Sequence, residues 1–236
     1  TPQFPQCGFS ARTVEALSRC SARYVAICDS DDIWTDPNKL AKQVGFLETH
    51  PDHAFSYTDV DIITREGMHV DADGYQGIRS RYAGGWLFAQ LVQGNFVNNS
   101  TTVARRDLLE GLRPNACRDE LIGDHVRWIQ LAMRGKAHFL PARTTAYRQG
   151  GVTGQTAIQQ LNRKVMLGML PGLLREHASM RTPTTAADRA ILLRKTAGTM
   201  LRTGHLSLIP LLFRYLPAVF PSRSPDRGGP VDSHDT

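Results

Sequence analysis

Residues Tyr24–Trp34 read YVAICDSDDIW. The apolar run Tyr24–Cys28 has the composition of a buried strand, and it ends against Asp29, Asp31 and Asp32. Clustered carboxylates raise one another's proton affinity, which penalises an empty site. A divalent cation with an anionic ligand on its far side would remove that penalty. The competing reading is a polar turn that caps a helix starting near Pro37.

Working outward, Val14, Leu17 and Cys20 recur at helical spacing ahead of the strand. Pro37 suits a first helical turn, and Leu40, Val44 and Leu47 then mark one helix face up to Pro51. Ala54–Tyr57 reads as a short second strand leading to Asp59. Residues 65–84 are glycine-rich and polar, a loop excursion with room for a short hairpin. Trp86–Val92 suggests a short helix, and Phe96–Arg105 contains a strand. Ile122, Val126, Ile129 and Met133 give the clearest amphipathic helix, closed by Gly135 before a strand at Ala137–Leu140.

Strands and helices in alternation predict an α/β fold with a mainly parallel sheet flanked by helices. Ligands of such sheets gather beyond the strands' carboxyl ends, so Asp29 and Asp59 are expected to face one crevice. Past Gln155 the pattern turns helical: Ala157–His177, with an interruption expected at Pro171–Gly172, and then residues 183–203. LSLIPLLFRYLPAVF is apolar but too short between charges to span a bilayer, so it either packs on the domain or lies on a membrane. The expected division is a domain at 1–154, a helical basic extension at 155–220 and a disordered tail at 221–236.

The net charge of +6 is unevenly placed: residues 1–154 hold 17 Lys+Arg against 17 Asp+Glu, while residues 155–236 hold 11 against 5. A neutral front half with an acidic cluster argues against nucleic acid as a partner. The basic, leucine-rich end suits an anionic partner or peripheral contact with anionic lipid. Cys7, Cys20, Cys28 and Cys117 form no CxxC pair, and Cys28 is expected to fill core space.

Oxygen donors alone populate DSDD, so Mg²⁺ or Mn²⁺ is favoured over softer-site metals. Asp31 is the leading ligand, with Asp29 assisting through metal, water or a ribose, and Asp32 in reserve. Asp124, opening the amphipathic helix, suits either the helix dipole or proton abstraction from a substrate hydroxyl. His125 is a second base candidate. Arg148, ahead of Gly150 and Gly151, could grip a phosphate-bearing ligand or pair with a loop carboxylate. Trp34 and Trp128 could face a sugar or pack internally.

RYVAICDSDDIWTDPNKLAKQVGFLETHPDHAFSYTDVDII, NNSTTVARRDLL and GDHVRWIQLAMRGKAHFLPARTTAYR together resemble the family 2 glycosyltransferases, enzymes of GT-A (Rossmann-like) fold, over residues 7–154. The resemblance implies that Asp29 and Asp31 are the DxD carboxylates and that Asp124 is the catalytic base. It further implies a nucleotide-sugar donor, Mn²⁺ or Mg²⁺, and a glycan or glycolipid acceptor. The implied setting is polysaccharide assembly in the cytoplasm, at the inner face of a bacterial membrane. The family's nucleotide-binding strand and loop are expected ahead of residue 1. Gln149 stands where many members have His after the Tyr-Arg pair, and no QxxRW motif of processive synthases is present. Two rival classes remain: a haloacid-dehalogenase-like phosphohydrolase with Asp29 as nucleophile and Asp31 as acid/base, and a non-catalytic binding module or truncated transferase.

Overall fold

The computed structural model describes residues 21–70, 81, 83–112, 123–148, 156–180 and 182–216. The expected helix at Val14–Cys20, most of the 65–84 excursion, Ile122, Gln149 and the tail from 221 lie outside the described residues.

Five strands form one mixed sheet in the order β1-β4-β3-β5-β2. They are β1 Tyr24–Ala26, β2 Ile33–Trp34, β3 His53–Ile63, β4 Val103–Arg105 and β5 Lys136–Arg148. Among the described residues only β3 and β5 pair in parallel; β1 with β4, β4 with β3, and β2 with β5 are antiparallel. The sheet is thus α/β but not mainly parallel among the described residues. Short β4 intervenes between β1 and β3, so β1, β3 and β5 still run in one direction; β1 stops level with Ser56, while β3 and β5 run on to Ile63 and Arg148.

The long central strands exceed their sequence signals for a local reason. Thr58 pairs with Leu140 but Asp59 with Arg143, so Pro141 and Ala142 fall in a bulge of β5. Proline has no N–H for the ladder, and a bulge is where a sheet can hold it. Strand β3 likewise continues past Tyr57 to Ile63, which places Asp59 inside the strand instead of beyond its end.

Helix α1 (Lys39–Thr49) starts after an Asp36 side chain that accepts from the Asn38 amide at 2.8 Å and pairs with Lys42 at 2.7 Å. Its inward face is Lys39, Gln43 and Leu47, while Leu40 is exposed. The expected stripe is rotated because the buried Thr101 carbonyl needs donors, and Lys39 Nζ and Gln43 Nε2 supply them at 3.1 and 2.9 Å. Burial pushes the Lys39 ammonium down to about 8. Cys28 is exposed, not core, because β1 ends at Ala26 and releases the chain before it.

Helices α2 (Phe88–Leu91), α3 (Arg106–Glu110) and α4 (Gly123–Arg134) follow, the last burying Val126, Trp128, Ile129 and Met133. Phe55 meets Trp128 at 5.6 Å between ring centroids, and Tyr57 lies 6.2 Å from Phe96. The helical end joins this same core through Leu170, Leu173, Leu174, Leu192 and Tyr215. Helix α5 (Thr156–Ser179) passes through Pro171 without a break; burial of Leu170, Pro171, Leu173 and Leu174 offsets the hydrogen bond that proline forfeits. Helix α6 (Ala186–Thr203) opens on a capping box of Thr185 and Asp188 and closes at Gly204, whose φ of 70° suits the left-handed cap.

The apolar segment after it folds as a short 3₁₀ turn, Leu206–Leu208, and α7, Ile209–Tyr215. Leu208 and Tyr215 are buried, whereas Leu206, Ile209 and Phe213 face outward. No helix among the described residues is long and apolar enough to cross a membrane. His177 of α5 stacks on Phe88 with centroids 3.9 Å apart and shares a 3.0 Å hydrogen bond with the Tyr215 hydroxyl. Burial, reinforced by the Arg214 charge, lowers its pKa to about 4.

Candidate active site

The acidic loop after β1 is held by backbone geometry before any ligand is considered. The Asp32 amide donates to the Asp29 carbonyl at 3.1 Å, closing a tight turn. The Asp29 amide donates to Ser100 Oγ at 2.9 Å, and Trp34 Nε1 donates to the Ser100 carbonyl at 2.8 Å. Ser100 belongs to a 3₁₀ turn, Asn99–Thr101, whose start is capped by the Asn98 side chain. Asn99 Nδ2 then donates to Asp29 Oδ1 at 2.7 Å, and Arg127 Nη1 of α4 donates to Asn99 Oδ1 at 3.1 Å. One amide therefore links the loop carboxylate to a buried guanidinium.

Asp124 occupies the first turn of α4, where the helix dipole favours a negative charge. Asn95 Nδ2 donates to Asp124 Oδ2 at 3.1 Å, and the Val97 amide fixes Asn95 by donating to its Oδ1 at 3.1 Å. Burial raises Asp29 to about 6; the Asn99 bond opposes this, while the charges of Asp32, Asp124 and Asp31 add to it. Asp124 thus shares an electrostatic field with the loop although it is far away in the chain. Burial lowers Arg127 to about 10, against the pull of Asp124 and Asp29.

Asp32 is buried, accepts the Arg148 amide on Oδ1 at 2.9 Å, and has no partner for Oδ2 among the described residues. Its pKa is raised, first by desolvation. The Arg148 guanidinium reaches over the strand ends: Nε donates to the Asp31 carbonyl at 3.0 Å, and Nη1 to the carbonyls of Thr64 and Arg65 at 3.1 and 2.6 Å. Two of its nitrogens therefore clamp backbone. Replacing Arg148 with Ala leaves those acceptors without a charged donor and should cost about 1–3 kcal/mol, read as a lowered urea midpoint at unchanged slope.

Asp29, Asp31, Asp32, Asp124 and Arg148 come together at one edge. Other expected site residues do not join them. Asp59 is tied within the sheet, 3.6 Å from Arg143 Nε, with its Oδ1 accepting from the Val60 amide. Trp128 is fully buried against Phe55, since α4 turns that position onto the sheet. Trp34 packs on the 3₁₀ turn, with Lys39 Nζ 5.0 Å from its ring centroid. His125 donates Nε2–H to the Leu91 carbonyl at 2.8 Å, and burial holds it neutral, so it is a poor base. Arg105 and Arg106 bind backbone carbonyls of His53 and Ala22. Sequence reading missed Asn95, Asn99, Ser100 and Arg127. The consecutive polar residues of NNSTT between apolar neighbours were the signal available for Asn99 and Ser100.

Hard oxygen donors, a buried Asp32 oxygen that no described residue partners, and the elevated proton affinity of Asp29 fit a divalent cation such as Mn²⁺ or Mg²⁺. No three metal-ligating side chains converge among the described residues, so ligand or solvent oxygens would complete the coordination.

No family profile matches the chain. It is 40% identical over 147 residues to uncharacterized proteins of Mycobacterium bovis and Mycobacterium tuberculosis, a stretch covering 60% of this chain and 39% of each relative. The chain thus spans well under half the length of the curated relatives it matches.

Proposed function

We propose that this chain forms part of a glycosyltransferase of family 2 type with a GT-A-like sheet, transferring a sugar from a nucleotide diphosphate to an acceptor hydroxyl with inversion. The observation that carries this reading is the meeting of the Asp29–Asp32 turn with Asp124 in one electrostatic field. The shared direction of β1, β3 and β5, and the resemblance of residues 7–154, support it.

In this mechanism Asp124, aimed by Asn95, takes the proton of the acceptor hydroxyl. The freed oxygen pair bonds to the anomeric carbon from the face opposite the donor diphosphate. The carbon–oxygen bond to that diphosphate breaks, and its electron pair leaves with the phosphate. A divalent cation held at Asp29 and Asp31 would supply positive charge opposite the departing diphosphate. Asn99 and Arg127 keep Asp29 in place, and Arg148 Nε keeps the Asp31 loop against the end of β5. The proposed setting is polysaccharide or glycolipid synthesis at the inner face of a bacterial membrane.

A phosphohydrolase would need Asp29 as a ready nucleophile. With its carboxylate bonded to Asn99 and its pKa near 6, it is poorly suited to that role. The test is a panel of nucleotide sugars offered to the protein with Mn²⁺ or Mg²⁺ and in chelator. Metal-dependent binding that disappears in Asp31→Ala supports the transferase. Phosphomonoester hydrolysis without sugar-nucleotide binding overturns it.

A further inference from the structure

Helix α6 turns a basic face toward a cavity of about 360 Å³ that opens against α5 and the turn after α2. Leu170 and Ile191 line its apolar side, and Arg194, Lys195 and Arg202 line the rest together with Gln93. Residues 191, 194, 195, 198 and 202 share one face at helical spacing, so the three cations converge by geometry. Gly198 leaves the cavity open: a Cβ there would meet nothing within 4 Å.

Among the described residues no carboxylate makes an ion pair with any of the three. Arg194 has only a 3.4 Å bond to Gln93 Oε1. Lys195 is partly buried, and its pKa is lowered by desolvation and then by Arg202 and Arg194. Like charges packed around a half-enclosed space cost stability unless an anion neutralises them.

The cavity also adjoins the acceptor side of the site. Gln93 lies two residues before Asn95, the partner of Asp124. The Lys195 charge acts on His125, which is itself bonded to Leu91 in the same segment.

We propose that this cavity binds a phosphate-class oxyanion through Lys195 and Arg202, and, resting on the transferase reading, that the oxyanion is the phosphate of an anionic acceptor. The apolar wall of Leu170 and Ile191 suits the non-polar portion of such a molecule. A phosphate can arrive free or on a lipid, and the experiment separates the two.

Binding is measured on the full chain in chelator, which silences any metal-dependent donor site. One arm uses inorganic pyrophosphate. The other uses phosphatidylcholine vesicles with and without phosphatidic acid. Lys195→Gln/Arg202→Gln should weaken binding about tenfold or more, whereas Arg163→Gln/Lys164→Gln, an equal charge loss on exposed α5 positions, should not. Pyrophosphate binding with that pattern identifies a soluble phosphate; the pattern with phosphatidic acid vesicles alone identifies a lipid phosphate. Without anion, the Lys195→Gln/Arg202→Gln chain should melt no lower than the parent, which excludes misfolding as the cause. Equal weakening by both double variants, or no binding in either arm, overturns the proposal. Neither result depends on sugar transfer: oxyanion binding with no transferase activity leaves the cavity standing and sinks the function reading alone.

Discussion

Replacing Asp124 with Asn should lower sugar transfer by roughly 10²–10⁴-fold while leaving donor affinity nearly unchanged. The amide is isosteric and can still accept the Asn95 hydrogen bond, so the first turn of α4 keeps its geometry. What disappears is the capacity to take a proton from the acceptor hydroxyl, an interaction realised in the transition state. The effect should therefore fall on kcat, with the donor dissociation constant and melting temperature as controls. Asp31→Ala should show the converse, with metal-dependent donor binding lost first. Unchanged turnover in Asp124→Asn sinks the base assignment.

The second large effect is a cancellation hidden in the pH dependence of stability. His177 has its pKa lowered to about 4 from 6.5, so the native state holds fewer protons than the unfolded chain between those values. Its contribution is present above pH 6.5 and is lost as pH falls through 4. Asp29 is raised to about 6 from 3.8, so its contribution is present below 3.8 and is lost as pH rises through 6. Each shift corresponds to about 3 kcal/mol, and the two slopes oppose each other over nearly the same window. The parent should be almost flat from pH 4 to 6.5 with respect to these two groups. Asp29→Asn should gain stability with rising pH, and His177→Phe, which keeps the stack on Phe88, should lose it. Urea midpoints measured in chelator at four pH values decide the matter. Parallel curves for all three proteins would show that neither group titrates as the burial predicts.

DSDD and the start of α4 were legible because their chemistry is local: carboxylates at a strand end, and a carboxylate opening an amphipathic helix. What joins them was not. Asn99 matters because its amide lies between Asp29 and Arg127, contacts made only once β4 and α4 have packed. The α1 face was misjudged because hydrophobic periodicity ignores an unsatisfied carbonyl, and the Thr101 carbonyl pulls Lys39 and Gln43 inward. Pro171 looked like a stop, but a buried flank tolerates it, and a bulge lets β5 run on through Pro141. Sheet direction failed for a similar reason, since a three-residue strand such as β4 is too brief to announce its pairing.

The β3–β5 pairing has a consequence for the order in which the molecule takes shape. Its partners are distant, as with Arg143 and Asp61, 82 positions apart, so the ladder cannot close while the chain is still local helices. High contact order slows that closure. Asp31, Arg148 and the Thr64 carbonyl meet only when it is complete. The Arg148 clamp on the acidic loop therefore exists only in a chain whose β3–β5 ladder is closed, so opening that ladder undoes the clamp as well.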